Sequence, residues 1–287
     1  MSRIAYVNGR YLLHGAPAVP VEDRGYQLAD GVYEVMAVER GRMVDVDLHF
    51  VRLERSLAEL RIAMPMSRKA LESVLLETIR RNGVADGIVY LQVNRGVARR
   101  DHAFPAGVKP SVVVTARRQP RAKTDALALK GVSVISTPDL RWARVDIKAV
   151  GLLPNVLAKQ QAREAGAYEA WLVDRDGLVT EGSSTNAWIV DRDGNLVTRQ
   201  WDGGGILNGV TRLALMDLAR ERQIRIIERA FSVAEAQAAS EAFLTSTTAF
   251  VMPIVQIDGK KVGAGVPGPV TAALRALYVG SVEKTQA

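Results

Sequence analysis

Cysteine is absent from the 287 residues. That excludes disulfides and thiolate-ligated metal sites, and no metal is expected. Also missing is any apolar run long enough to cross a bilayer, although apolar residues make up 48% of the chain. The opening stretch Met1-Ser2-Arg3-Ile4-Ala5-Tyr6 lacks the apolar core of a signal peptide. The expectation is therefore a cytoplasmic protein with no membrane partner. Long basic runs are missing too. The formal charge is +7, but the longest basic pieces, Arg99-Arg100 and Arg117-Arg118, are short, and the other arginines are interspersed with Asp and Glu. Without a zinc-finger or RNP-type motif, no nucleic-acid partner is expected, and an anionic small ligand fits the positive balance better.

What is present reads as a folded α+β chain, long enough for one large domain or two medium ones. Asn8-Gly9 between two short apolar runs predicts a hairpin near the start. After a glycine-containing loop, a strand is expected from about Val32. Asp47 is the expected cap of a helix from Leu48 to about Ala63, with Leu48, Val51, Leu53, Leu57 and Leu60 near helical spacing. Ser67 predicts the start of a second helix, closed by Asn82-Gly83. Strands are expected at 88–94 and 111–116. The polar stretch 117–125 contains a proline and is the candidate linker, giving an N-terminal α/β domain at 1–120 and a C-terminal one at 121–287. In the second half the spacing predicts a strand at 132–136, a helix at 155–165, two hairpins turning on Asp-Arg-Asp-Gly (174–177 and 191–194), and a helix at 209–222. A strand at 224–229, a short helix near 232–238 and a strand at 242–246 follow. The tail from Ser281 is polar and is expected to be unstructured.

The chemistry is concentrated around Lys148, in Val145-Asp146-Ile147-Lys148-Ala149-Val150-Gly151. A lysine among apolar neighbours loses solvation when charged, which makes its amine nucleophilic and suited to Schiff-base formation. A lone lysine at a strand end is more often simply solvated. Three other features give this one its interest. Glu181, in Thr180-Glu181-Gly182-Ser183-Ser184, could face a pyridine nitrogen and make that ring an electron sink, though a glutamate at a strand end is normally solvated. Gly209-Val210-Thr211 opens a helix with free N–H groups, a hydroxyl and the positive end of the helix dipole, which suits a phosphate, as it would also suit an ordinary cap. Thr245-Ser246-Thr247-Thr248 offers more hydroxyl and N–H donors, or is a polar turn.

Taken in order, these pieces resemble the fold-type IV pyridoxal-phosphate (PLP) enzymes, the class IV aminotransferases, and within them the D-amino acid branch of D-alanine type. The resemblance rests on Glu22-Asp23-Arg24-Gly25-Tyr26-Gln27, Asp30-Gly31-Val32-Tyr33-Glu34-Val35 and His49-Phe50-Val51-Arg52-Leu53. It continues through Arg100-Asp101-His102, Arg141-Trp142, Asp146-Ile147-Lys148, Leu157-Ala158-Lys159-Gln160, Thr180-Glu181-Gly182-Ser183-Ser184, Gly209-Val210-Thr211-Arg212 and Thr245-Ser246-Thr247-Thr248. It implies a two-domain fold with Lys148 in the C-terminal domain and the cofactor between the two. Lys148 would bond covalently to PLP and then move a proton at the substrate α-carbon. Glu181 would pair with the pyridine nitrogen. Arg52, Val210, Thr211 and Thr247 would hold the phosphate, Val210 through its N–H, and Leu207 would pack on a ring face. Tyr33, Arg100 and His102 would bind the substrate α-carboxylate, the last two reaching in from the partner subunit of a homodimer. The physics suits that role: residues two apart in an extended loop point the same way, and arginine forks onto a carboxylate. His14 and His49 read as structural.

The implied activity is transamination of D-amino acids with 2-oxoglutarate or pyruvate as acceptor. Branched-chain L-amino acid transamination and aminodeoxychorismate lysis on the same fold are the alternatives. Three departures from the family pattern adjoin the site: Leu28-Ala29 stands where an aromatic-glycine pair is more usual, Asn208 where relatives often have proline, and Phe250 where many have glutamate.

Overall fold

The computed structural model describes residues 3–16, 19–201 and 205–285. Met1 and Ser2 of the opening stretch, and the last two residues of the tail, lie outside the described residues. The chain divides into two compact units.

Unit 1 runs to Arg121 and also takes in Ile147–Gly151. Its elements are β1 (Ile4–Val7), β2 (Arg10–Leu13), α1 (Arg24–Leu28), β3 (Gly31–Glu39), β4 (Arg42–Met43), α2 (Val46–Glu59), α3 (Arg68–Arg81), β5 (Gly87–Asn94) and β6 (Ser111–Arg118). The strands form one antiparallel sheet in the order β2-β1-β6-β5-β3-β4. Asn8 (φ 45°) and Gly9 (φ 92°) make the tight turn of the first hairpin, where both central residues need positive φ. Strand alternation sends Val32, Glu34, Met36 and Val38 of β3 to the buried face. Three of these join Val89, Leu91, Val93, Val112 and Val114 against Phe50, Leu53 and Leu57 of α2 and Leu71, Leu75 and Ile79 of α3. Each such side chain contributes roughly 1.5–3 kcal/mol when fully buried. Glu34 is the exception on this face, and it becomes part of the candidate site.

The lysine segment completes unit 1. Ile147 is buried in the same core. Tyr33 N–H donates to Lys148 C=O (3.0 Å) and Val150 N–H to Gly31 C=O (3.1 Å), with Val32 and Ala149 paired antiparallel. Lys148 was expected in the C-terminal half, but its segment packs with the N-terminal one because these bonds bridge it antiparallel to the start of β3.

Unit 2 holds α4 (Ala122–Ala128), β7 (Val132–Pro138), α5 (Leu153–Glu164), β8 (Glu169–Val173), β9 (Val179–Gly182), β10 (Asn186–Val190) and β11 (Leu196–Thr198), followed by α6 (Val210–Glu221), β12 (Ile226–Glu228), α7 (Val233–Ala238), β13 (Glu241–Ser246), β14 (Phe250–Ile257), β15 (Lys260–Lys261) and α8 (Pro269–Thr285). One mixed sheet runs β12-β11-β10-β13-β14-β7-β8-β9, with β15 on β14. The two Asp-Arg-Asp-Gly turns use the same chemistry. Asp174 Oδ1 accepts from the N–H groups of Asp176 and Leu178, and Asp191 Oδ1 from those of Asp193 and Asn195.

Several expectations need correction. The helix expected from Leu48 begins at Val46, so Asp47 lies inside its first turn and not at the cap. Val51, assigned to the apolar face, is 59% exposed; the buried face instead includes His49, Arg52 and Ser56. The expected linker is mostly regular structure, since β6 reaches Arg118 and α4 begins at Ala122. The tail expected to be unstructured is the end of α8. Leu274, Tyr278 and Val282 recur every fourth residue and are buried, which holds the helix down despite its polar residues. No helix among the described residues is long and apolar enough to cross a membrane.

Candidate active site

Lys148 is half-buried, and its main-chain N–H donates to Ser56 Oγ (3.3 Å) on α2. Its Nζ sits 4.3 Å from the centroid of the Tyr33 ring. Among the described residues no carboxylate pairs with this amine, so the nitrogen is uncommitted. Tyr33 projects from the face of β3 opposite the core and stacks on Tyr90 of β5 (5.8 Å). Burial, with a smaller contribution from Tyr33, pushes the Tyr90 phenol up to about 12, so it stays protonated. Its hydroxyl donates to Gln92 (2.6 Å), whose amide reaches Asn94 (2.8 Å).

Arg52 lies one helical turn before Ser56 and is buried. Glu34 reaches it from β3: Nε donates to Oε1 (2.9 Å) and the terminal guanidinium nitrogen to Oε2 (2.8 Å). His49 Nδ1 lies 2.7 Å from Glu34 Oε2. Burial alone would raise the Glu34 carboxyl, but the charge and hydrogen bonds of Arg52, with the His49 bond, outweigh it and hold the group at about 2. Burial lowers His49 in spite of Glu34. The imidazole is thus neutral at pH 7, and with Glu34 ionised its Nδ1 carries the proton. The result is a buried arginine whose orientation is set by a bidentate carboxylate.

Arg100 and His102 lie on the loop between β5 and β6, and both are exposed. Among the described residues neither side chain has a hydrogen-bonding or ionic partner. Asp101 between them is held: its C=O accepts from an Arg24 guanidinium N–H (2.6 Å).

In unit 2, Glu181 of β9 is buried. Its Oε1 accepts from Arg141 and from the Leu207 N–H (3.1 Å), and its Oε2 from Asn186 Nδ2 (2.9 Å). Arg141 also binds Asp139 through Nε (2.9 Å) and a terminal nitrogen (2.8 Å). One arginine therefore serves two carboxylates, so with both ionised the cluster of three would hold one negative charge in excess. The titration behaviour matches. Burial pushes the Glu181 carboxyl up, Arg141 and the Leu207 N–H pull it back without cancelling the push, and Asp139 adds to it. A cationic N–H partner would neutralise the excess, and Oε2 keeps an acceptor site for one.

Asn186 ties this carboxylate to the turn before α6, where its Nδ2 also donates to Leu207 C=O (2.9 Å). Gly209 lets the turn approach: a Cβ there would fall 1.9 Å from Asn186 Oδ1. Gly209 also leaves α6 without a side-chain cap, so the first N–H groups, those of Val210 and Thr211, are covered by no cap of their own. Asn208 accepts from Arg212 (3.2 Å), which fixes the turn in the place of the absent proline. Thr247 lies in the turn after β13, two residues beyond Thr245, the register partner of Asn186 on β10. Phe250 follows this turn, is buried, and packs edge-on against Tyr278 of α8 (5.1 Å), so it serves the core.

Tyr33 and Lys148 are thus together in unit 1, with Arg52 one turn from the lysine's anchor. Glu181, Leu207 and the start of α6 are together in unit 2. Leu207 contributes its main chain to Glu181, a role the sequence reading did not foresee. That reading gave no function to Glu34, Arg141 or Asn186. Glu34 carried a signal: an acid between Val32 and Met36 on an apolar strand face must find a partner. Arg141 carried none beyond its place in the family pattern.

The family described as Amino-transferase class IV matches residues 31–257. D-alanine aminotransferase of Bacillus licheniformis is 42% identical over 275 residues, 96% of this chain and 95% of that protein. D-alanine aminotransferase of Listeria innocua is 38% identical over 277 residues, 96% and 95% of the two chains. Among solved structures, a branched-chain amino acid aminotransferase of Escherichia coli superposes with a TM-score of 0.89 at 25% identity, covering 98% of this chain and 95% of that one. A branched-chain aminotransferase solved with pyridoxamine 5′-phosphate also gives 0.89 at 25% identity, over 98% and 94%. The chain belongs to the class IV aminotransferases and has their fold-type IV architecture. It is a pyridoxal-phosphate transaminase. The residues present suit that cofactor: an uncommitted lysine amine, a buried carboxylate that shares its one arginine with Asp139 and keeps an acceptor site for a pyridinium N–H, and an uncapped helix start for a phosphate.

Proposed function

We propose that this enzyme transaminates D-amino acids of the D-alanine type, with 2-oxoglutarate or pyruvate as amino acceptor. Support comes from relatives named D-alanine aminotransferase that match nearly the whole chain at 42% and 38% identity. The observation that carries the stereochemical reading is the loop that presents Arg100 and His102 without partners of their own while Asp101 between them is fixed. Branched-chain L-amino acid transamination is the second reading, favoured by the structural neighbours, but at only 25% identity.

In this reading Lys148, Arg52, Glu181, Leu207, Val210, Thr211 and Thr247 hold PLP. When bound, the cofactor supplies an electron sink for the pair left as the substrate α-proton departs. Lys148 would hold it covalently and, once released, would take that proton from the substrate α-carbon at Nζ and deliver it to a different carbon, one of the cofactor's own. The Tyr33 ring beneath Nζ restricts where the amine can swing. Glu181 accepts a hydrogen bond from the ring nitrogen and, kept in place by Arg141 and Asn186, stabilises its positive charge. Arg52, oriented by Glu34, and the start of α6 with Thr211 and Thr247 neutralise the phosphate. Tyr33, Arg100 and His102 bind the substrate α-carboxylate, the last two from the partner subunit of a homodimer. The other partners are small amino acids and 2-oxo acids, and we place the enzyme in the cytoplasm, where those pools lie.

The test is keto-acid formation by the PLP-loaded protein from D-alanine with 2-oxoglutarate, run beside L-leucine. Pyruvate from D-alanine without turnover of L-leucine is the expected result. Turnover of L-leucine alone would assign the chain to the branched-chain reaction.

A further inference from the structure

We propose that Arg24, locked by Asp30, is a positioning residue for substrate binding: it fixes the main chain between Arg100 and His102 so that the two side chains form a ready-made carboxylate clamp. The inference rests on the reading of Arg100 and His102 as the α-carboxylate site.

Arg24 is a surface-type residue in an interior position. It opens α1, a helix of five residues, and its side chain is 3% exposed. Burying a guanidinium costs several kcal/mol unless every arm is satisfied, on the order of the penalty for any buried ion. Here the arms divide. Nε donates to Asp30 Oδ2 (2.8 Å), and a terminal nitrogen donates to Asp101 C=O (2.6 Å). Asp30 is itself held from the other side by Arg95, which gives it Nε (2.7 Å) and a terminal nitrogen (2.9 Å). Burial works against the Asp30 charge, but the two arginines more than compensate and its carboxyl lies below the usual range. Arg95 also donates to the C=O groups of Leu60 and Arg61 at the end of α2, and its guanidinium lies 3.6 Å from the Phe104 ring centroid. The cluster therefore joins α1, the start of β3, the end of α2 and both sides of the 100–102 segment.

The root of the loop is fixed by separate bonds. Arg24 N–H donates to Gly96 C=O (2.9 Å), Ala98 N–H to Glu22 C=O (3.2 Å), and Asp23 pairs with Val97. Past Ala98 these main-chain bonds stop. From there to Phe104 the loop is held by the Arg24–Asp101 bond, by Asp101 Oδ1 accepting from Ala103 N–H (3.3 Å), and by the Phe104 ring, over which the guanidinium groups of Arg95 (3.6 Å) and Arg61 (5.3 Å) lie. Arg100 and His102 sit inside this span, exposed and unpaired. An exposed arginine on a free loop would lose much of its binding energy to ordering, and a loop fixed in advance avoids that loss. Arg24 need not touch the substrate to have this effect. Its removal frees the carbonyl that sets the direction of both flanking side chains.

The experiment uses the full-length holoenzyme and the D-alanine half-reaction. Four variants are compared: Arg24→Met, Phe104→Ala, Arg100→Ala, and Arg24→Met combined with Arg100→Ala. Phe104 is exposed, so its variant keeps the test open if Arg24→Met fails to fold. The expected result is a rise of about tenfold or more in the KM for D-alanine in Arg24→Met, a smaller rise in Phe104→Ala, and kcat nearly unchanged in both. The PLP dissociation constant should also be unchanged, which a general loss of fold would not allow. The double variant should be impaired by less than the product of the two single effects, because Arg24 acts largely through Arg100 and what remains acts through His102. If Arg100→Ala raises KM but Arg24→Met and Phe104→Ala do not, or if the two effects multiply, the positioning role is wrong. If Arg100→Ala leaves KM unchanged, the clamp reading fails and this inference fails with it.

Discussion

Glu34 occupies a strand position whose neighbours on the same face, Val32 and Met36, are fully buried and apolar. A carboxylate there persists only because Arg52 and His49 come to it from α2 at a spacing of one turn. This gives a testable pH dependence. The Glu34 carboxyl lies at about 2 in the folded protein, against 4.5 for an ordinary glutamate. The folded value is depressed, so the stabilisation it represents is complete above pH 4.5 and is lost as pH falls towards about 2. Its size is on the order of 3 kcal/mol. We expect urea unfolding to show Glu34→Gln less stable than the parent at pH 6, with the gap closing as the pH is lowered through that window. A gap that stays constant with pH would mean that Glu34 does not carry the charge assigned to it. Glu181 is the opposite case: it is buried with one arginine shared between it and Asp139, and its raised carboxyl leaves the cluster ready for a cationic partner.

At the level of elements, the proposed cofactor side of unit 2 depends on how closely the turn before α6 approaches β10. Gly209 has φ −65°, a conformation open to any residue, so what requires glycine there is space and not backbone strain. In Gly209→Ala the new methyl would collide with Asn186 Oδ1, and Asn186 is the residue that joins Glu181 to the Leu207 carbonyl. The PLP dissociation constant should therefore rise about tenfold, which is ~1.4 kcal/mol, and the melting temperature of the cofactor-free protein should fall as well, because two buried hydrogen bonds of Asn186 are displaced. Absorbance titration with PLP measures the first quantity. An unchanged affinity would show that the turn relaxes without cost. α8 acts on the same side from further away, since Arg275 donates to the carbonyls of Ala249 and Val251 (2.9 and 2.6 Å), directly after the turn that carries Thr247.

For the whole molecule, the proposed homodimer makes a prediction that no single chain can satisfy. Lys148→Ala keeps the Arg100 and His102 loop, and Arg100→Ala keeps the lysine. If the loop serves the partner's lysine, a mixed dimer of the two variants has one intact site; if it serves its own, the mixed dimer has none. Co-expression of the two chains with different tags, followed by sequential affinity purification, should therefore recover turnover at a D-alanine concentration far below the KM of Arg100→Ala, where neither variant alone turns over appreciably. Failure to recover it from a verified mixed dimer would place the clamp and the lysine on the same chain.

The sequence by itself determined the class of fold and the order of most elements, and it supplied the residues proposed for the cofactor chemistry. These follow from local signals: hairpin turns such as Asn8-Gly9, the Ser67 cap, glycine before Val210, and short motifs in a fixed order. The tertiary structure decided three things that local signals do not encode. It placed the Lys148 segment in unit 1, because main-chain bonds to Gly31 and Tyr33 are made more than a hundred positions away in the chain. It paired Glu34 with Arg52 and Glu181 with Arg141, since the sequence fixes which groups are charged but only packing fixes which of them meet out of water. It also made a helix of the tail beyond Ser281, where burial of Val282 outweighs the polarity of its neighbours.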